Sequence, residues 1–92
     1  MSAVVSLSRS VVDSRRWRAL TPSARAIYVE LVCGDVGDGK PILLSVRDAV
    51  FACNCSTGAV ARGFRALVDA GFIVQITGRQ RLASTWRIAK AA

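Results

Sequence analysis

Arginine supplies most of the side chains in this sequence that could bind an anion. Eleven of the 13 basic residues are Arg, and with six acidic residues the net charge is +7. A guanidinium group binds phosphates, carboxylates and guanine edges through paired N–H donors. The excess is uneven, because residues 1–46 hold six basic and four acidic residues (+2) and residues 47–92 hold seven and two (+5). This charge favours a polyanionic partner such as nucleic acid, although solubility is the simpler alternative.

The cysteines do not have the pattern of a metal centre. The chain has three cysteines and no histidine, with Cys53 and Cys55 in C-x-C spacing, whereas a structural zinc site needs about four ligands. Cys33 and Cys53 fall at core positions of predicted helices, so we expect both to be buried as small hydrophobic residues. The odd count and the absence of a signal-peptide pattern predict a cytoplasmic protein.

No pattern predicts catalysis or a cofactor. Residues 34–40 read G-x-x-x-x-G-K, but Pro41 stands where a phosphate loop has its Mg²⁺-binding hydroxyl, so a flexible turn is the better interpretation. No nucleophile has a recognisable base and no predicted element holds two acids, so we expect no enzyme activity. No apolar run approaches the roughly 18 residues of a membrane span, so we expect no membrane partner.

Residues 45–73 have the pattern of two helices joined by a tight turn and followed by a strand. Ser45 and Asp48 form the S-x-x-D arrangement that caps a first helix, which should close near residue 53. Asn54 and Cys55 form the turn, and Ser56 caps a second helix that ends at Gly71. This order is typical of a helix-turn-helix, which places its second helix in the DNA major groove.

The flanking segments complete one domain over residues 1–92. Thr21 and Pro22 begin a helix whose apolar face repeats every three to four residues until Gly34, and residues 42–44 form a short strand. We expect residues 72–77 and 82–89 to form a hairpin around a turn at 78–80. We expect residues 1–13 to form an arm or a short helix.

The second helix of the pair has two distinct faces. Its buried side should consist of Val60, Phe64, Leu67 and Val68. Its outward side should consist of Thr57, Gly58, Ala61, Arg62 and Arg65. Small residues on the same face as two arginines would let such a helix approach base edges closely.

The chain resembles small bacterial and phage winged helix-turn-helix proteins. The resemblance covers roughly residues 14–89 and rests on five segments in order: Leu20-Thr21-Pro22-Ser23-Ala24, Ser45-Val46-Arg47-Asp48-Ala49, Ser56 through Leu67, Gly71-Phe72-Ile73 and Trp86-Arg87-Ile88. It implies a mostly helical α+β fold, with three core helices and a wing sheet of two to three strands. Such proteins bind double-stranded DNA as repressors, activators or replication initiators, with the third helix in the major groove.

The resemblance also implies roles for particular residues. Thr57, Gly58, Ala61, Arg62 and Arg65 would face the groove, with Arg62 on a base edge and Arg65 on phosphate. Arg79 and Arg81 would be wing contacts. Apart from the resemblance, Arg47 near the start of the preceding helix is a candidate phosphate clamp, with pairing within its own helix as the alternative. The basic cluster of Arg15, Arg16 and Arg18 could extend this footprint or only solvate a helix.

One departure from the family pattern leaves an alternative open. Phe51 stands where such proteins have a charged surface residue. It would serve a homodimer, another protein partner, or packing under the N-terminal arm. The leading hypothesis is a sequence-specific transcriptional regulator. The alternatives are a winged-helix adaptor or phage-encoded inhibitor that binds protein, and a replication-initiator domain.

Overall fold

Five helices and three strands occur among residues 9–34, 41–77 and 85–89, which the computed structural model describes. They are α1 (Arg9–Val12), α2 (Arg15–Ala19), α3 (Pro22–Gly34), β1 (Ile42–Leu43), α4 (Val46–Cys53), α5 (Thr57–Asp69), β2 (Ile73–Thr77) and β3 (Thr85–Ile88). The fold is therefore α+β and mostly helical, with its elements in the predicted order. Residues 1–8 of the predicted arm, residues 35–40 of the turn predicted at 34–40, and the turn predicted at 78–80, with Arg79 and Arg81, lie outside the described residues.

Hydroxyl side chains accept backbone N–H groups at the start of four helices. They are Ser14 for α2, Thr21 for α3, Ser45 for α4 and Ser56 for α5. At α4 the cap is reciprocal, because the Asp48 carboxylate also accepts the backbone N–H of Ser45. Each cap is worth about 1 kcal/mol. The predicted starts of α3, α4 and α5 are confirmed.

Two residues with positive φ end α4 and follow α5. Asn54 has φ 54° and ψ 45°, and its backbone N–H donates to the Val50 carbonyl. Asn tolerates this left-handed conformation better than most L-residues, as the sequence predicts for the turn. Gly71 follows α5 with φ 83°, which terminates the helix before β2.

The core lies mainly between α3 and α5. Ile27 and Leu31 of α3 and Val60 and Leu67 of α5 are fully buried. The helices approach closely at Gly63, where a Cβ would lie 2.7 Å from Ile27 Cδ1 and 3.3 Å from the Ala24 Cα.

Two predictions about burial are wrong. Val68 is 37% exposed, because it lies at the edge of the apolar stripe of α5 beside an open groove. Cys33 is exposed. It comes nine residues, about two and a half helical turns, after the buried Ala24, so it lies on the opposite side of α3. Cys53 is half-buried.

Aromatic residues connect the helices to the sheet. Trp17, Tyr28 and Phe72 make edge-to-face contacts, with ring centroids 5.5 to 6.0 Å apart. Phe64 of α5 stacks on Trp86 of β3 at 4.5 Å and 6°. The Trp86 indole Nε1 donates to the Leu44 carbonyl at 2.9 Å, which ties β3 to the segment before α4.

The sheet has three antiparallel strands in the order β1-β3-β2. Trp86 pairs with Ile42 on one side and with Gln75 on the other. The register between β2 and β3 shifts between Gln75 and Thr77. Strand β1 ends at Leu43 and β2 begins at Ile73, each one residue shorter than the sequence predicts.

Candidate nucleic-acid interface

Helix α5 presents five of the predicted DNA-contacting residues on one exposed surface. These are Thr57, Gly58, Ala61, Arg62 and Arg65, and we call this surface the α5 face. It forms because Val60, Gly63, Phe64 and Leu67 point the other way, into the core. The structure therefore brings the five residues together as the helical period predicts.

Both arginines of the α5 face are available to an external anion. Neither Arg62 nor Arg65 has an ion pair or hydrogen bond with any described residue. The Arg62 guanidinium lies over the first turn of α5, because a Cβ on Gly58 would be 3.3 Å from Arg62 Nη1 and 3.9 Å from Cζ. Long helical side chains usually point towards the helix N-terminus in this way.

A third cation lies on the helix that packs against α5. Arg47 is exposed in the first turn of α4, and it also has no partner among the described residues. The neighbouring carboxylate of Asp48 is engaged in the capping box. The one acidic residue of α5 is Asp69, at the end of the helix opposite Thr57. Helices α4 and α5 together carry three arginines and two acidic residues, and the charged residues of the α5 face are both arginines.

An open groove of about 320 Å³ lies between α5 and the sheet. It is lined by Ala61, Phe64, Arg65, Val68 and Asp69 of α5 and by Gln75 and Trp86 of the strands. Gln75 was not among the predicted site residues. The pairing of Gln75 with Trp86 puts both side chains on the sheet face that is turned towards α5. The α5 face is thus continuous with this groove through Ala61 and Arg65.

Some arginines are bound within the protein instead. The Arg25 guanidinium donates to the backbone carbonyls of Trp17 and Arg18, at 3.3 and 2.9 Å, and lies 5.9 Å from the Trp17 ring centroid. Arg16 donates to the Ala70 carbonyl at 3.5 Å, just beyond the end of α5. Arg16 therefore joins α2 to α5, which favours a structural role for this member of the Arg15–Arg18 cluster. No local sequence pattern indicates a contact across 54 residues.

The aromatic residues divide into core and surface groups. Trp17 and Trp86 are 7% and 4% exposed, so neither offers a face on which a base could stack, as predicted. Phe51 is 80% exposed on α4, which confirms its predicted surface position. The outer face of the sheet also exposes Leu43, Val74 and Ile76.

No group of three or more His, Cys, Asp or Glu residues within the described ranges is arranged to hold a metal ion. None of the described helices is long and apolar enough to cross a membrane. No protein-family model, curated protein or solved structure matches the chain.

Proposed function

We propose that this protein is a winged helix-turn-helix regulator that binds specific double-stranded DNA sequences. The observation that carries the proposal is the α5 face, which combines small residues with two unpartnered arginines. The preceding α4 and the left-handed turn at Asn54 support a helix-turn-helix arrangement. Strands β2 and β3 would form the wing against the DNA backbone or minor groove.

The dimensions and side chains of α5 suit the major groove. A helix of 13 residues is about 20 Å long and, with its side chains, about 10–12 Å wide, and the groove is about 12 Å wide. Gly58 and Ala61 would let the helix backbone approach the bases. Arg62 would contact a base edge, whereas Arg65 and Arg47 would contact phosphates.

Selection of bound sequences from a random duplex pool tests the proposal directly. We expect enrichment of a defined sequence, and an enriched site with two-fold symmetry would indicate a dimer. Enrichment of no sequence, together with no gel shift on random duplex DNA at low salt and micromolar protein, would contradict DNA binding.

Substitution of Arg62 tests the role of the α5 face. Arg62→Ala should weaken binding to the selected site by about 1–3 kcal/mol and relax preference at one base pair. Arg9→Ala is the matched control, since it removes the same charge from exposed α1. Equal loss on all sequences would instead make Arg62 a phosphate contact.

Phe51 supports a second candidate, a protein-binding adaptor. A large aromatic side chain that is 80% exposed favours a contact with a partner or a second copy. If the adaptor hypothesis is correct, Phe51→Ser should abolish partner binding or dimer formation. DNA binding that is unaffected by Phe51→Ser but weakened by Arg62→Ala would favour the regulator.

A further inference from the structure

Gly58 occupies a helical position where glycine has a cost. It is the second residue of α5, after the cap at Ser56, and glycine is the poorest helix former after proline. The other glycine of α5, Gly63, has a packing reason, because a Cβ there would collide with Ile27. Gly58 is exposed, so close packing within the core does not account for it.

The space beside Gly58 is occupied by the end of one side chain. A Cβ on Gly58 would lie 3.3 Å from Nη1, 3.9 Å from Cζ and 4.0 Å from Nη2 of Arg62. Its three nearest atoms would therefore all belong to the Arg62 guanidinium. The guanidinium therefore lies against the backbone of the first turn. Since 3.3 Å is tighter than an ordinary carbon–nitrogen contact, a methyl group at residue 58 would displace the guanidinium by a few tenths of an ångström.

We propose that Gly58 is a specificity-determining residue that positions the Arg62 guanidinium for one guanine. Bidentate recognition of guanine O6 and N7 requires two N–H donors in a fixed plane. Because Gly58 has no side chain, both Nη atoms of Arg62 can lie against the first turn of α5, the end that would enter the groove. The inference rests on the proposed function and goes beyond it by naming guanine as the base and Gly58 as the positioning residue.

A double-mutant cycle tests whether Gly58 acts through Arg62. The wild type, Gly58→Ala, Arg62→Ala and the double variant are measured on four duplexes that differ at the base pair to which Arg62→Ala responds. The wild type should prefer guanine there, and Gly58→Ala should reduce that preference on the order of tenfold. In the Arg62→Ala background, Gly58→Ala should cause no further loss. Equal losses in both backgrounds would overturn the proposal, because the glycine would then act only by letting the backbone approach DNA.

Two further measurements separate this inference from folding and from the proposed function. Gly58→Ala should not lower Tm, because alanine is the better helix former, and a lower Tm would overturn the assigned role. In the free protein, ¹⁵N relaxation of Arg62 Nε should show more motion in Gly58→Ala than in the wild type. Failure of the inference alone leaves wild-type DNA binding intact, whereas failure of the proposed function leaves the wild type unable to select any duplex.

Discussion

At the scale of single residues, Asn54 determines how α4 and α5 meet. Its φ of 54° is the only positive value at a non-glycine residue in the described ranges, and this conformation costs most L-residues roughly 1–2 kcal/mol. Asn54→Val should therefore lower the free energy of unfolding by about 1–2 kcal/mol, while Asn54→Gly should leave it unchanged or raise it. Urea denaturation measures both effects.

The matched control for Asn54 is Ala52→Val. Ala52 is exposed within α4, so this variant reports only the lower helix propensity of valine, at most about 0.7 kcal/mol. Equal stability of Asn54→Val and Asn54→Gly would contradict a left-handed turn.

The cysteines differ in their expected reactivity. Cys33 is exposed, whereas Cys53 is half-buried against the core. Burial raises the pKa of the Cys53 thiol, and the charges of Glu30 and Cys55 raise it further. Since the thiolate is the reactive form, iodoacetamide at neutral pH should alkylate Cys33 several times faster than Cys53.

Peptide mass spectrometry over time measures the two alkylation rates. Cys33→Ser is the control, because it should remove the fast alkylation at residue 33 and leave the rate at Cys53 unchanged. Faster modification of Cys53 than of Cys33 would contradict the burial that the structure gives these residues.

At the scale of elements, the close crossing of α3 and α5 depends on Gly63. A Cβ there would meet Ile27 Cδ1 at 2.7 Å and the Ala24 backbone at 3.3 Å. Overpacking a core typically costs about 1–3 kcal/mol, and alanine would recover up to about 1 kcal/mol through its helix propensity. Gly63→Ala should therefore destabilise the protein by about 1 kcal/mol, measured by urea denaturation.

Gly58→Ala provides the comparison within the same helix. It makes the same chemical change at an exposed position, where the helix-propensity gain is not opposed by the core. The two substitutions should differ in the sign of their effect on stability. A stabilising Gly63→Ala would show that α3 and α5 can separate without loss of packing.

Local patterns were sufficient for most element boundaries. The caps at Ser45 and Ser56 act within four residues, so the sequence reveals them directly. The outward position of Arg62 likewise follows from the helical period once Val60 and Phe64 are placed in the core.

Long-range contacts could not be predicted in this way. The bond from Arg16 to the Ala70 carbonyl joins residues 54 apart in sequence. The groove at Gln75 depends on how the sheet packs against α5. The wrong assignment of Val68 has the same origin, because periodicity places it beside the apolar stripe without showing where the neighbouring strand lies.

At the scale of the whole molecule, the arginines divide between structural and unpartnered roles. Arg16 and Arg25, in the half with the smaller excess charge, donate to backbone carbonyls. Arg47, Arg62 and Arg65, in the more basic half, have no partner among the described residues. Three arginines of the proposed interface are therefore available to an external anion.

This distribution predicts a steep dependence of DNA affinity on salt. Each phosphate that an arginine neutralises contributes about −0.9 to the slope of log K against log salt concentration. If Arg47, Arg65, Arg79 and Arg81 contact four phosphates, the slope should be about −3.6. Fluorescence anisotropy with a labelled duplex, from 50 to 300 mM salt, measures it.

Individual substitutions then assign the contacts. Arg65→Ala should reduce the magnitude of the slope by about 0.9 on every duplex, because a phosphate contact carries no sequence information. Arg62→Ala should instead reduce affinity for the selected site without that change in slope, because a base contact releases no phosphate counterion. Arg25→Ala is the control, since its guanidinium already binds two backbone carbonyls, and it should lower Tm without changing the slope. A slope that none of the exposed arginines alters would remove the α5 face from the interface.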